Sequence, residues 1–134
     1  MSTAGQPGRI RVWLLAARPK TLAAAASPVA VGTALAWAEG SAHAASAAVA
    51  LIAAVLIQVG TNLANDAADF RRGADTAERL GPVRVVQAGW LDEGLAIGGA
   101  AVTFGLSILA GLYLVYRGGW PIVAIGLAAI AAGI

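Results

Sequence analysis

The chain has 134 residues, of which 59% are hydrophobic and 12% charged, with a net charge of +2 and no cysteine. An ordinary soluble domain carries about 25% charged residues, so a deficit spread over the whole length marks a membrane protein, not a large soluble core. The missing cysteines exclude disulfides, thiolate zinc sites and Cys nucleophiles, and basic residues placed beside apolar spans read as topology charge, with no nucleic acid as partner.

Residues 1–20 hold Arg9, Arg11, Arg18 and Lys20 and no uninterrupted apolar run, so they read as a cytoplasmic and interfacial segment. Within them, Ile10 to Ala17 suits a short helix lying in the interface. Pro19 is placed to open a membrane span at its first turn. That span, Thr21–Ala38, has 18 residues without a charge, and Pro28 inside it predicts a kink. Ala44–Asn65 gives a second span of 22 uncharged residues. Residues 66–93 follow as a polar loop, punctuated by Gly73, Gly81, Pro82 and Gly89. Gly94–Tyr116 and Gly118–Ile134 supply two more uncharged runs, of 23 and 17 residues. A crossing needs about 20 apolar residues, so the first three blocks qualify and the fourth barely does. Its finish at Ile134, without a polar flank, suggests a piece of a longer polypeptide.

Eight of the nine Lys and Arg residues fall on one side of this arrangement, which places the N-terminus and the 66–93 loop in the cytoplasm. Trp13, Trp37, Trp90 and Trp120 each fall at a membrane boundary, where an amphipathic ring is favoured. The expected fold is all-α: a polytopic transmembrane bundle of about four helices after a short interfacial helix, in the cell membrane, with the lipid bilayer as partner.

One segment is chemically loaded. The second span runs out through Gln58, Asn62, Asn65, Asp66 and Asp69 to Arg71, Arg72 and Gly73. With Asn62 at zero and about 100° per residue, Asn65 lies near 300°, Asp66 near 40°, Asp69 near 340° and Gln58 near 320°. The five make one polar stripe, with Gly60, Leu63, Ala64 and Ala67 on the opposite face. Polar groups at membrane depth are costly unless they face a cavity or partners, and two carboxylates a turn apart repel. A cation or nearby Arg and Lys must offset that. Hard oxygen donors suit magnesium, which takes one or two carboxylates and fills its shell with water and substrate phosphates. The other reading is structural: Asn62 and Asn65 join helices, while Asp66 and Asp69 cap the loop and pair with Arg71 or Arg72.

The loop adds Asp75, Arg79, Gly81-Pro82 and Arg84. An Arg fork bonds two phosphate oxygens at once. Lys20 is a further phosphate candidate, or else a snorkelling anchor. His43, Tyr113 and Tyr116 lie towards the other side and read as solvated or interfacial residues. The candidate site residues are Lys20, Gln58, Asn62, Asn65, Asp66, Asp69, Arg72, Asp75, Arg79 and Arg84.

Asn65-Asp66-Ala-Ala-Asp69 resembles the first aspartate-rich motif of the UbiA superfamily of intramembrane prenyltransferases. The longer string from Asn62 through Gly73 and Asp75, followed by Arg79-Leu-Gly81-Pro82-Val-Arg84 and Gln87-Ala-Gly89, is similar to the 1,4-dihydroxy-2-naphthoate polyprenyltransferase branch (MenA type). Arg18-Pro19-Lys20-Thr21 fits the start of that branch. The resemblance is strong from about Trp13 to Trp90 and rests on hydrophobicity beyond. It implies a bundle of about nine helices, the helix being how an open chain satisfies its backbone in lipid. It also implies two aspartate-rich loops that bind magnesium and a polyprenyl diphosphate. Asn65 and Asp69 would be the Asn and Asp of the first motif and, with Asp66 beside them, the metal donors. The resemblance implies Asp66, Asp69, Arg79 and Arg84 as catalytic residues and Lys20, Gln58, Asn62, Asn65, Arg72 and Asp75 on the substrate side. Where much of the superfamily has a third acid, four positions after Asp69, this chain has Gly73, and the acid comes at Asp75.

The implied reaction is magnesium-dependent transfer of the polyprenyl group to 1,4-dihydroxy-2-naphthoate with loss of carbon dioxide, giving demethylmenaquinone. No second aspartate-rich motif follows residue 93, so residues 1–134 read as the N-terminal part of such a domain, inactive without the missing C-terminal half. Two alternatives stay open: another acceptor, such as 4-hydroxybenzoate, or a non-catalytic membrane module or transporter fragment whose stripe lines an ion path.

Overall fold

The computed structural model describes residues 5–73 and 80–134, with helices, turns and no strand among them. Five helices follow one another: α1 (Arg9–Ala17), α2 (Pro19–Ala38), α3 (Ala44–Arg72), α4 (Glu93–Gly118) and α5 (Trp120–Gly133). The all-α architecture and the short leading helix are as the sequence implied. Three helices, α2, α3 and α4, are long and apolar enough to cross a membrane. The fourth apolar block forms the 14-residue apolar helix α5.

The second span does not stop at Asn65. Nothing between Asn65 and Arg72 breaks a helix, so α3 runs 29 residues and ends where Gly73 adopts φ +61. Its final carbonyls are then met by the Gly73 N–H, which donates to the Asp69 and Phe70 oxygens in the usual manner of a glycine C-cap. The expected loop therefore begins seven residues later than its charges suggest, and Asp66 and Asp69 sit on helix. Pro28 lies within α2, and helix continues on both sides of it.

A single residue, Arg18, separates α1 from α2 and stands in the left-handed region at φ 52. That conformation costs a non-glycine residue about 1 kcal/mol. Local bonds offset it: Arg18 N–H donates to Leu15 O (3.2 Å), and Thr21 donates both N–H and Oγ1–H to Arg18 O (2.9 Å each). Pro19, already fixed at helical φ and lacking an N–H, takes the first position of α2. The result is an elbow that turns α1 away from the α2 axis and onto α3.

α3 and α4 share the longest helix–helix interface. Small residues bring them close, as is usual where lipid removes the hydrophobic drive between helices. A Cβ on Gly60 would lie 2.7 Å from Thr103 Oγ1 and 3.0 Å from the Phe104 ring, and one on Gly99 would lie 2.9 Å from the Trp13 ring.

The buried core sits at one end of the bundle, where α1, the end of α3, the 85–91 connection and the start of α4 meet. Val12 and Ala16 of α1 pack there with Leu63, Val85, Val86 and Ala96, each at most 4% exposed. The connection itself closes as one helical turn, with Ala88 N–H donating to Arg84 O (2.9 Å) and Trp90 N–H to Val85 O (2.9 Å). Asp92 caps α4 by accepting from Gly94 N–H (2.8 Å). By contrast α2 has no buried residue along its length. Its sides are open to lipid or to further protein.

Candidate functional site

The polar stripe of α3 divides into two edges. Asn62 and Asp66 turn inward and are 4% and 2% exposed. Asn65 is exposed, and Gln58 and Asp69 are partly so. The angular positions derived from the sequence hold, but neighbours differ across them. The elbow and the 84–91 turn cover the edge near 0–40°, and nothing among the described residues covers the edge near 300–340° as fully.

The inward edge makes internal bonds. Asn62 Nδ2 donates to Ala17 O (2.8 Å) and to Thr21 Oγ1 (2.9 Å), so it ties α3 to both arms of the elbow. Ala17 ends α1, and its carbonyl has no intrahelical partner, so Asn62 supplies one. Gln58 Nε2 in turn donates to Asn62 Oδ1 (3.2 Å). Asp66 accepts at Oδ2 from the Val85 N–H (3.2 Å) and, at the limit of bonding distance, from the Val86 N–H (3.5 Å). Its Oδ1 is buried without a hydrogen-bond partner among the described residues, while the Arg18 and Arg84 guanidinium groups both act on the carboxylate electrostatically.

The outward edge carries the charge that a ligand can reach. Asp69 Oδ2 lies 2.6 Å from Arg84 Nη2, with the Asp69 side chain 25% exposed and that of Arg84 10%. Asn65 stands one turn before Asp69 on the same edge, with Gln58 deeper along it. Arg71 pairs with Glu93 across to α4, so it is not the partner of either aspartate. Lys20 and Arg72 are exposed at the same end. Asp75 and Arg79 fall outside the described residues.

Hence the site brings together Asp69 and Arg84, with Asn65 on the same edge of α3 and Lys20 and Arg72 exposed, and engages Asn62 and Asp66 in holding the fold. Sequence reasoning missed Arg18 and the main-chain N–H groups of Val85 and Val86. Arg18 had one signal, its place before Pro19, which biases a residue away from helix. The turn N–H groups had none, since any residue supplies one.

As oxygen donors, the Asn65 amide and the Asp69 carboxylate fit a magnesium ion that draws the rest of its shell from water and phosphate. Asp66 is the weaker candidate, because one of its oxygens already serves two backbone donors. No group of three His, Cys, Asp or Glu side chains gathers among the described residues.

Comparison with known proteins agrees with the motif. The chain is 42% identical over 113 residues to a 1,4-dihydroxy-2-naphthoate octaprenyltransferase of Escherichia coli, covering 84% of this chain and 37% of that protein. Proteins of the same name from Mycobacterium tuberculosis and Haemophilus influenzae are 39% identical over 123 residues (89% of this chain, 40% of theirs) and 35% identical over 109 (80% and 35%). The chain thus spans somewhat over a third of the length of the curated relatives it matches. No family model matches, and no solved structure gives a significant match. The resemblance carried by the Asn65–Asp69 motif is borne out: over most of its length this chain is similar to a segment of the 1,4-dihydroxy-2-naphthoate octaprenyltransferases.

Proposed function

We propose that this chain is the diphosphate-binding part of a membrane prenyltransferase that attaches a polyprenyl group to 1,4-dihydroxy-2-naphthoate. The observation that carries the reading is the outward edge of α3. A carboxylate and an Arg fork meet there at the end of an apolar span, with the exposed Asn65 amide one turn before them on the same helix, in a chain similar to proteins of that name.

In this reading the protein lies in the cell membrane with this end in the cytoplasm, where eight of nine cationic residues gather. The prenyl diphosphate enters with its charged end at Asn65 and Asp69 and its tail along the open apolar sides of α2 and α3. Asn65 and Asp69 are the residues that would hold a magnesium ion. Magnesium, when bound, neutralises charge that builds on the leaving diphosphate. Arg84 and Lys20 add fixed positive charge at the same place, which favours the transition state because the charge develops there. The allylic C–O bond breaks, and a C–C bond forms at the ring carbon that bears the carboxylate. Carbon dioxide leaves from that carbon, and its bonding pair restores the aromatic ring. The product is demethylmenaquinone at the quinol level, with diphosphate and carbon dioxide released. The apolar walls keep water from the allylic cation.

The purified chain in lipid nanodiscs tests the binding half of this reading. Magnesium with geranyl diphosphate is expected to raise its thermal midpoint, and neither alone to do so to the same extent. No shift with both together would count against a diphosphate site, and an equal shift with sodium or potassium would favour an ion path.

A further inference from the structure

We propose that Asp66 is a positioning residue that delivers Arg84 to Asp69, not a ligand of metal or substrate. The proposal rests on the preceding reading only for what the Arg84–Asp69 pair meets.

Three observations carry it. Asp66 is 2% exposed, so nothing outside the fold reaches it. Its Oδ2 accepts from the Val85 and Val86 N–H groups, the two residues that follow Arg84. Those N–H groups stand at the open start of the turn that Ala88 N–H closes onto Arg84 O. A carboxylate on such donors acts as a helix N-cap does, except that the cap here comes from another helix. Seating the turn in this way fixes the backbone of Arg84, and its guanidinium then lies 2.6 Å from Asp69 on the adjacent edge of α3. Asp66 and Asp69 are one turn apart on α3, so a single rigid element carries both the residue that seats the turn and the residue that its Arg meets. The cationic groups that act on Asp66 are Arg18 from the elbow and Arg84 from the turn itself, and they offset part of the cost of burying its charge.

The sequence offered the same aspartate as a metal donor, and the two assignments predict different behaviour. Amide hydrogen exchange of the full chain in nanodiscs reads the turn directly. In the unaltered chain the Val85 and Val86 amides are expected to exchange at least about a hundredfold slower than in an unstructured peptide. Asp66→Asn is expected to speed both by about tenfold or more, while Asp69→Asn leaves them within about threefold. Unprotected Val85 and Val86 amides in the unaltered chain would overturn the proposal, and so would unchanged exchange in a folded Asp66→Asn chain. Should Asp66→Asn fail to fold, the unaltered chain still decides it.

A second readout separates positioning from simple loss of structure. With inorganic pyrophosphate and magnesium as the probe, Asp66→Asn is expected to weaken binding about tenfold in the presence of Arg84 and by less than about twofold in an Arg84→Gln background. Equal losses in both backgrounds would assign Asp66 to the ligand itself and overturn the proposal. If the unaltered chain binds no pyrophosphate, the proposed function fails for this chain, and amide exchange still rules on Asp66.

Discussion

Arg84 Nη2 lies 2.6 Å from Asp69 Oδ2, joining a turn after the third helix to an aspartate within it. The pair is the point where the chain's cationic loop and its aspartate-rich helix meet, and both partners are partly shielded from water. A charge pair in that setting holds more than one in open solvent, because screening is weaker there.

The first prediction concerns that pair. Asp69→Asn removes a carboxylate that the proposed ligand also requires. Magnesium-dependent thermal protection by geranyl diphosphate is expected to fall by a factor of about ten to a hundred in apparent affinity, the range in which a charge-assisted contact counts. A thermal-shift titration in nanodiscs checks it, and protection equal to that of the unaltered chain would remove Asp69 from the site.

The Arg71–Glu93 pair offers a contrast. The Arg71 side chain is 65% exposed, and exposed pairs contribute about 0–1 kcal/mol. Arg71→Ala is therefore expected to leave the unfolding midpoint almost unchanged and to leave diphosphate protection intact. A marked loss in either measurement would give Arg71 a role that its surroundings do not suggest.

Asn62 holds the elbow with two bonds from one amide group. Asn62→Ala would strand the Ala17 carbonyl in a poorly hydrated place, at a cost of about 1–3 kcal/mol. Asn62→Asp should be at least as damaging, because it replaces the donor with an acceptor facing that carbonyl. Unfolding in mild detergent with a denaturant series measures both.

Helix packing predicts a difference between glycines. Gly60→Ala places a methyl 2.7 Å from Thr103 Oγ1 and 3.0 Å from the Phe104 ring, whereas a Cβ on Gly105 meets nothing within 4 Å. Overpacking of this kind costs about 1–3 kcal/mol. Gly60→Ala should therefore lower the thermal midpoint and Gly105→Ala should not, and equal effects would contradict the close α3–α4 contact.

Much of this was legible from residue order alone. The charge-free blocks marked the spans, and the 100° step put Asn62, Asn65, Asp66 and Asp69 on one stripe. Periodicity, however, gives angles between residues on a helix and says nothing about what stands opposite each of them. Asp66 and Asp69 are separated by about 60°, and that was enough to place one under the turn and the other outside it. The extension of α3 to Arg72 was readable in principle, because no breaker precedes Gly73, but the charges drew the boundary earlier. The elbow was readable only as a break in helix before Pro19: left-handed backbone at a non-glycine residue is uncommon, and the Thr21 bonds that accompany it at Arg18 leave no mark in the residue order.

The contact between Asn62 and the elbow also bears on how the chain enters a bilayer. Ala17 and Asn62 are 45 positions apart, and two membrane-length helical stretches separate them. They can meet only when the intervening chain has crossed an even number of times. A nascent chain that inserted α2 but left α3 behind would strand the two partners on opposite leaflets. The amide contact therefore fits only a topology in which Ala17 and Asn62 lie on the same side of the bilayer.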